Sequence, residues 1–463
     1  MTETQRMDAI YDLSTIWKYA GEIFPYFEEV KIDWDGAYYT YLERMYCAET
    51  VKECHMLMAE FLNLLGDGHT DYCFPGTLVK ETGCLPFTLA FLGGEWFIKE
   101  VLPGMEEFLS AKVLSVNGMG MDAFLGDCFR YIYHVGNYAG WWKLKEIMPF
   151  LLKKCGNEML TSKGMMRFNL VEDASAEMIP IRREIPSEKP KIQVYQENGK
   201  KVLYVRIDNF VYPTAGEEIM AALSHCRGGG EGNAAKDSDA RSWFAGVILD
   251  VRNNIGGMTA YAARVAELFI SGEFSACQKK TRRMKGLDLS SASQYAGMED
   301  KQIERCIQDG LCTRQEVERC LRTAKNMNYY EYQDSFGAPG HKAVFDGPVI
   351  LLTGRGTVSA AEDFTAMFQS TGRAILMGEA TFGSTGTPFL KRLRTGGLIR
   401  ICSVGYRLLD GTEFIGKGIS PDVFVRGSIE EYVEGRDTVL GQALERLVGI
   451  VLPTQNCSGG NLD

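Results

Sequence analysis

Buried-type strands alternate with helix-like segments in the second half of the chain, and this alternation constrains the fold more than any other feature. The apolar runs Gly246–Val251, Pro348–Thr353 and Ala374–Met377 have the composition of fully buried strands. The first two are followed by the helix-like segments Met258–Ile270 and Ser359–Ser370. Strands of this type alternating with helices are typical of a mostly parallel sheet covered on both faces. We therefore predict an α/β core.

The rest of the chain divides around this core. Its 463 residues exceed the size of one typical domain. Apolar residues at helical spacing predict a helical region at the N-terminus, and short apolar runs ending in Gly-Gly, Pro-Gly and Asn-Gly turns predict a β-rich module. The expected divisions are a helical region ending in a histidine-bearing loop (1–75), the β-rich module (84–185), the α/β core (195–430) with an insertion (272–340), and a C-terminal helix and tail (431–463).

Composition excludes several classes of function. The net charge of −10 disfavours a general nucleic-acid or anionic-membrane binder. No apolar run approaches the ~18 residues that a membrane span needs, and no secretory signal is visible at the N-terminus. We therefore expect a cytoplasmic protein. The 13 cysteines lack paired spacing and the 5 histidines are scattered, which predicts reduced thiols and no metal site.

The segment Asp250–Gly257 (DVRNNIGG) lies between a predicted strand and a predicted helix. Gly256 and Gly257 would let backbone N–H groups approach a ligand closely, and the helix N-terminus adds positive potential. This arrangement could hold a phosphate or an oxyanion, although the pattern of a Walker loop is absent. The alternative is a tight strand-to-helix turn without a ligand.

A serine occupies the next strand-to-helix junction, in the segment Thr353–Asp363 (TGRGTVSAAED). At this position the helix N-terminus would stabilise an alkoxide on Ser359 and a nearby oxyanion. The alternative is an N-cap, since Ser359 followed by Glu362 fits a capping box.

A histidine, His69, follows the first helical region in the segment Gly66–Thr70 (GDGHT). A histidine in such a turn is more often structural than catalytic. However, a serine needs a base to become a nucleophile, and catalytic groups meet in space rather than in sequence. Ser359 and His69 are therefore candidate partners.

Taken together, these segments resemble the C-terminal processing peptidases, also called tail-specific proteases, a serine peptidase family that includes the tricorn core protease. The resemblance spans residues 201–425 and rests on four ordered segments, DVRNNIGG, GPVILLTGRGTVSAAEDF, GRAILMGEATFGSTG and GTEFIGKGISPDVFV. It implies a ClpP/crotonase-like catalytic core, an N-terminal helical cap and a PDZ-like or divergent substrate-binding module. The implied activity is hydrolysis of peptide bonds in unfolded tails or short peptides.

The resemblance also implies roles for individual residues. Ser359 is the expected nucleophile, and the backbone N–H of Ala360 together with that of Gly256 or Gly257 is the expected oxyanion hole. In the Ser/Lys branch of the family a lysine is the base, but Ser384 occupies that position here, and a neutral hydroxyl cannot serve as the base.

The tricorn-like branch uses a histidine instead, which maps to His69, with an expected pKa near the usual ~6.5. Glu413 is the predicted supporting carboxylate. The family's glutamate often falls where this chain has Ile415, and a two-residue offset on a strand would keep the same face. The alternatives for orienting the imidazole are Thr70, Ser384 and Asp67.

The resemblance implies no metal or organic cofactor, and it implies a peptide or unfolded protein as the partner. We expect no nucleic-acid or membrane partner, and self-association into a homo-oligomer stays open. Loss of the lysine leaves an alternative from another class, a catalytically inactive peptide- or ligand-binding protein on the same scaffold. An acyl-CoA-type crotonase would share the fold but has no role for the serine.

Overall fold

The computed structural model describes residues 1–173, 178–182, 187–197, 199–225, 244–282, 295, 297–308, 312–324 and 329–448. The predicted tail beyond residue 448 lies outside this range. The helices are α1 (Glu3–Ile23), α2 (Phe27–Val30), α3 (Trp34–Cys47), α4 (Val51–Asn63), α5 (Gly76–Thr82), α6 (Met121–Phe129), α7 (Trp141–Leu151), α8 (Ala215–His225), α9 (Thr259–Ala266), α10 (Asp300–Gln308), α11 (Arg314–Ala324), α12 (Ala360–Thr371), α13 (Ile429–Glu434) and α14 (Thr438–Val448).

The strands are β1 (Asp71–Cys73), β2 (Phe87–Leu92), β3 (Glu95–Val101), β4 (Val113–Val116), β5 (Met119–Gly120), β6 (Asn157–Thr161), β7 (Gly164–Phe168), β8 (Ile179–Pro180), β9 (Lys191–Glu197), β10 (Lys200–Arg206), β11 (Gly246–Asp250), β12 (Cys277–Arg282), β13 (Tyr329–Gln333), β14 (Val349–Thr353), β15 (Ile375–Gly378), β16 (Pro388–Arg392), β17 (Leu398–Cys402), β18 (Gly405–Leu408) and β19 (Val423–Phe424). Among the residues whose structure is described, none of the helices combines the length and the hydropathy that crossing a bilayer requires.

The chain folds into two compact units. The first contains Met1–Leu78, Gln278–Gln333 and Gly386–Tyr406, and the second contains the rest. Most of the region expected as an insertion therefore belongs to the same unit as the N-terminal helices. The domain boundaries drawn from the sequence stay predictions.

The first unit combines helices α1 to α4 with the three-stranded sheet β1-β17-β16. The apolar faces of the helices meet around aromatic side chains, with the rings of Trp34 and Phe61 stacked at 4.2 Å. The buried carboxylate of Asp12 on α1 accepts the backbone N–H groups of Arg394 and Thr395 at 3.0 and 2.8 Å. Helix α1 is thereby fastened to the turn that joins β16 and β17.

A six-stranded sheet with the order β19-β15-β14-β11-β10-β9 forms the core of the second unit. Within this sheet the pairs β10–β11, β11–β14, β14–β15 and β15–β19 are parallel, and β9 pairs antiparallel with β10. Every residue of β11 and β14 is buried, which requires cover on both faces. Helix α14 packs against Val202, Ile248 and Ile350 on one face. The predicted α/β core is confirmed.

The β-rich region of the second unit contains the sheets β2-β3-β8 and β5-β4-β6-β7 and helices α6 and α7. Its aromatic side chains pack against the loop that follows β15. The rings of Tyr133 and Tyr138 lie edge-on to that of Phe382 at 5.2 and 5.6 Å, and the Tyr133 hydroxyl donates to the Gly383 carbonyl at 3.0 Å.

The parallel pairing places the carboxyl ends of β11, β14 and β15 at one edge of the sheet. The loops that follow these strands therefore emerge next to one another. They contain the glycine pair, Ser359 and Ser384, which are far apart in sequence. Ligand sites in open α/β sheets form at this edge.

Candidate active site

Ser359 has a strained backbone. It directly precedes helix α12, with φ 61° and ψ −127°, a conformation that residues other than glycine rarely adopt. Its hydroxyl does not cap the helix, and the capping-box interpretation of Ser359 and Glu362 is wrong. Strain of this kind persists only where the surrounding structure holds it, and it is concentrated at functional sites.

Hydrogen bonds from the neighbouring loops hold the strained serine. The N–H of Ser359 donates to the carbonyl of Ser384 at 2.9 Å, and the N–H of Val358 donates to the carbonyl of Asn254 at 2.9 Å. The loop after β14 is therefore fastened on both sides, to the loop after β11 and to the loop after β15.

The two glycines after β11 pack too closely on their neighbours to carry side chains. A Cβ on Gly256 would lie 2.5 Å from the Cβ of Ser359, and one on Gly257 would lie 2.3 Å from the carbonyl carbon and oxygen of Phe210. Both residues have positive φ, 100° and 143°. The turn therefore brings its backbone into direct contact with the serine, which a simple strand-to-helix connection does not require.

The hydrogen bonds of this turn distinguish the two glycines. The N–H of Gly256 donates to Oδ1 of Asn254 at 2.9 Å. Gly257 pairs in parallel with Phe210. The N–H of Phe210 donates to the carbonyl of Gly256, and the carbonyl of Phe210 accepts the N–H of Met258. In this pairing the N–H of Gly257 itself points away from Phe210. Within the described residues, neither the Gly257 N–H nor that of Ala360, the first residue of α12, donates a hydrogen bond.

A buried carboxylate on α12 holds the loop after β15. Oε1 of Glu362 accepts the hydroxyl of Thr381 at 2.6 Å and the N–H of Gly383 at 2.7 Å, and Oε2 accepts the N–H of Ser384 at 2.7 Å. Burial is the main reason that the pKa of Glu362 rises to about 7. Glu362 thus holds the backbone N–H of Ser384, the residue whose carbonyl accepts the N–H of Ser359.

Asp250 and Arg252 anchor the turn instead of facing a ligand. Two nitrogens of Arg252, Nε and Nη2, donate to the Asp250 carboxylate at 3.0 and 2.7 Å, and Nη1 donates to Asp437 at 2.8 Å. Burial alone would raise the pKa of Asp250, but the guanidinium of Arg252 outweighs it and keeps this pKa below its ordinary value. Asp250 is therefore ionised at neutral pH.

His69 belongs to the first unit, where a hydrogen-bond network holds its loop. Oδ2 of the buried Asp67 accepts the N–H of His69 at 3.1 Å and the hydroxyl of Thr70 at 2.7 Å. The Thr70 oxygen accepts the N–H of Cys402 on β17 at 2.9 Å. Because the one hydroxyl proton of Thr70 goes to Asp67, Thr70 has no proton to donate to the imidazole.

The surroundings of His69 favour its neutral form. Burial, followed by the positive charge of Arg400, lowers the pKa of His69 to about 4, against an opposing effect of Asp71. Arg400 and Asp71 lie opposite each other on β17 and β1, and Nε of Arg400 donates to Oδ1 of Asp71 at 2.6 Å. The expectation of a pKa near 6.5 for His69 is wrong, because the sequence shows neither the burial of this side chain nor the charges that surround it.

Glu413 lies in the second unit on an exposed segment outside the strands. The argument that a two-residue offset keeps the same face is wrong here, because Ile415 begins a turn. In this turn the N–H of Gly416 donates to the carbonyl of Gly383 at 2.8 Å. The Glu413 segment therefore runs beside the loop that Glu362 holds, and its supporting role stays a prediction.

The structure brings together five of the predicted residues: Ser359, Ala360, Gly256, Gly257 and Ser384. His69 and Thr70 lie in the other unit, and the pairing of His69 with Ser359 stays a prediction. Across the described part of the chain, no group of three or more His, Cys, Asp or Glu side chains is arranged to hold a metal.

The geometry agrees with what comparison with known proteins shows. Residues 201–425 match the profile of peptidase family S41, and these residues include Ser359, both glycines and Ser384. The region of residues 201–425 therefore belongs to this family, that of the C-terminal processing peptidases. It is 31% identical over 96 residues to a carboxy-terminal-processing protease of Bartonella bacilliformis, which is 21% of this chain and 22% of that protein.

Other relatives extend the comparison. The S41 chain is 24% identical over 248 residues to a probable CtpA-like serine protease of Staphylococcus aureus, which is 52% of this chain and 38% of that protein. It therefore spans well under half the length of these curated relatives.

Similarity to solved structures supports the fold. Mature CPAF has a TM-score of 0.67 at 13% identity, with 97% of this chain and 100% of that chain covered. A putative peptidase of Parabacteroides merdae has a TM-score of 0.52 at 17% identity, with 96% of each chain covered.

Proposed function

We propose that this S41 chain is a serine peptidase whose nucleophile is Ser359. The observation that carries the proposal is the strained serine at the start of α12, beside two backbone N–H groups that donate to no described residue. A strained strand-to-helix turn exposes a nucleophile above the sheet, and free N–H groups beside it suit an oxyanion. Membership of the family supports the same activity.

In the proposed mechanism Oγ of Ser359 attacks the carbonyl carbon of the scissile peptide bond while His69 takes the hydroxyl proton. The carbonyl oxygen becomes an oxyanion held by the N–H groups of Gly257 and Ala360. His69 then gives the proton to the leaving amine, and water hydrolyses the acyl-enzyme by the same steps. Because its pKa is held near 4, His69 is neutral and able to accept a proton at physiological pH.

Positioning falls to residues around these groups. We assign Glu362 to the loop behind Ser359, because it binds the N–H of Ser384. We assign Asn254 to the oxyanion turn, because its side chain takes the N–H of Gly256 and leaves Gly257 as the available donor. Glu413, Ser384, Thr70 and Asp67 remain proposed partners for the imidazole.

The finer features inferred from the sequence complete the proposal. We propose a ClpP/crotonase-like core, which the parallel strands and intervening helices support. The β-rich region is proposed as a PDZ-like or divergent substrate-binding module, because Tyr133 and Tyr138 pack on Phe382 beside the site. Unfolded tails or short peptides are the proposed substrates, and self-association into a homo-oligomer is left for sizing measurements.

We also propose that the chain is closer to the tricorn-like Ser/His branch than to the Ser/Lys branch, and the serine at position 384 supports this. The cytoplasm is the proposed location, because thirteen cysteines without paired spacing favour a reducing compartment.

A fluorophosphonate probe tests the nucleophile directly, since it forms a covalent bond only with an activated serine. We expect the wild-type protein to be labelled and to cleave unstructured peptides, and the Ser359→Ala variant to do neither. Ser370→Ala, on the same helix as Ala360, is the matched control and should keep both properties. Absence of labelling in folded wild-type protein would favour the inactive binding protein instead.

A further inference from the structure

An arginine on the loop that leads to Ser359 has a buried nitrogen without a hydrogen-bond partner. Arg355 is partly buried, and within the described residues its Nη1 donates to no acceptor. No carboxylate in the described part of the chain forms an ion pair with it. A guanidinium nitrogen that loses water on burial and gains no acceptor is costly, and native structures rarely contain one.

Two other partly buried arginines of the second unit show the usual arrangement. Arg252 bonds to two carboxylates, as described above, and three backbone carbonyls accept the N–H groups of Arg373 at 2.5, 2.8 and 2.9 Å. The fold therefore supplies acceptors to the guanidinium groups that stabilise it. Arg355 differs from both, which suggests that its acceptor is a ligand.

The turn that carries Arg355 is fixed at the carboxyl edge of the sheet. The buried hydroxyl of Thr357 donates to the carbonyl of Val251 at 2.9 Å. A Cβ on Gly356 would lie 2.6 Å from the carbonyl oxygen of Arg252. The backbone that follows Arg355 is thus pressed against the loop after β11, and the position from which its side chain extends is set.

The guanidinium of Arg355 lies near Tyr138 in the β-rich region of the same unit. Burial raises the pKa of Tyr138, and the charge of Arg355 opposes this rise. Glu379 also acts on Tyr138, but its Oε1 accepts Nε of Arg426 at 2.7 Å. The carboxylate of Glu379 is therefore already paired, and the charge of Arg355 is available to a ligand.

A peptide that reacts with Ser359 can reach Arg355. The two residues are four positions apart in the chain, and four extended residues span at most about 14 Å. A residue of the peptide within about four positions of the reacting bond can therefore lie beside the guanidinium. Among the groups of a peptide, a carboxylate matches a guanidinium in charge and offers it two acceptor oxygens.

We propose that Arg355 binds a carboxylate of the peptide substrate, within about four residues of the scissile bond. This inference rests on the proposed peptidase function and adds a charged group that the site selects. The carboxylate belongs either to an Asp or Glu side chain or to the end of the peptide, since both present the same two oxygens. A neutral amide at the same place supplies one acceptor oxygen and no charge.

Matched peptides test the selection and distinguish the two sources. The parent is an unstructured peptide with neutral side chains and an amidated C-terminus. One series carries a single Asp or Asn at each of the four positions on either side of the scissile bond. The other series ends one to four residues beyond this bond, as the free acid or as the amide. A hydrogen bond to a charged group corresponds to roughly 10- to 150-fold, so we expect kcat/KM of one acid to exceed that of its neutral counterpart by at least about tenfold.

Substitutions of Arg355 show whether it causes the preference. Arg355→Gln should bring the ratio of acid to neutral peptide to about one, and Arg355→Lys, which keeps the charge, should retain part of the preference. Arg167→Gln on β7 is the matched control, because it removes an exposed cation elsewhere in the same unit, and it should keep the wild-type ratio. The absence of a preference for any acid, or a preference that survives in Arg355→Gln, would overturn the proposal.

A binding measurement separates failure of this site from failure of the peptidase proposal. The same peptides, labelled with a fluorophore, are titrated into the Ser359→Ala variant with and without Arg355→Gln, and binding is followed by anisotropy. Tighter binding of an acidic peptide that Arg355→Gln abolishes supports the carboxylate site even if wild-type protein cleaves nothing. Equal binding of every acid and its neutral counterpart overturns the site even if Ser359 proves to be the nucleophile.

Discussion

Replacing Gly257 by alanine should remove one oxyanion donor while leaving the nucleophile and the base in place. The new Cβ would lie 2.3 Å from the carbonyl carbon and oxygen of Phe210 and 2.7 Å from the nitrogen of Val211. These are backbone atoms of a paired segment, so the turn itself must move. The left-handed φ of 143° adds strain for a residue with a side chain. The N–H of residue 257 is then displaced from its position beside Ser359.

The expected loss can be given a magnitude. Removing one donor from an oxyanion hole lowers kcat by roughly 10²- to 10³-fold, about 2.7–4 kcal/mol of transition-state stabilisation. The donor acts on charge that develops only in the transition state, so KM should change little. Steady-state hydrolysis of an unstructured fluorogenic peptide measures both constants. A thermal unfolding curve of the same sample shows whether the variant remains folded at the assay temperature.

Gly104→Ala is the matched control for backbone strain. Gly104 also has positive φ, 89°, but no described atom lies within 4 Å of the Cβ that alanine would add. This variant carries the same kind of conformational strain without displacing the turn, and it should keep wild-type kcat. A folded Gly257→Ala variant with kcat within about threefold of the wild-type protein would contradict the assignment of Gly257 as an oxyanion donor.

Two further predictions concern ionisable groups. In the proposed mechanism His69 acts as the base only while it is neutral, so the acid limb of kcat/KM should fall near pH 4. The variant Arg400→Gln removes the cation beside His69 and should move this limb to higher pH. A wild-type limb at about 6.5 would contradict this. In Glu362→Gln, the side-chain NH₂ group replaces one carboxylate oxygen and faces the backbone N–H of Gly383 or Ser384, so that two donors meet. The lost hydrogen bond should lower kcat by about tenfold or more. Any inflection near pH 7 in the wild-type profile should disappear in that variant, leaving the limb of His69 unchanged.

The strands and helices of the core could be predicted because their pattern is local. A run such as Gly246–Asp250 is apolar at every position, and only a strand buried on both faces suits it. The contact between the glycine turn and Ser359 also follows from the pattern, because parallel strands place their carboxyl ends at one edge. Which glycine keeps a free N–H could not be predicted. That depends on whether Asn254 turns its side chain towards Gly256.

Long-range contacts account for the other differences. Glu362 stands three residues after a serine at a helix start, and locally this is the pattern of a cap. Its actual partners are the hydroxyl of Thr381 and the N–H groups of Gly383 and Ser384, which would otherwise be buried donors without acceptors. The low pKa of His69 similarly depends on burial first and then on Arg400, whose proximity follows from the pairing of β1 with β17.

If Ser384 stands where the Ser/Lys branch has its lysine, as we propose, the base can change while the scaffold is kept. At the position of the lysine in the Ser/Lys branch, Ser384 is fully buried, and its backbone is bonded on both sides, to Glu362 and to the N–H of Ser359. These bonds use main-chain atoms, so they are independent of the side chain at this position. Replacing the lysine therefore removes a base without releasing the strained serine. The proposed mechanism then requires one neutral base. The low pKa of His69 keeps its imidazole neutral at physiological pH.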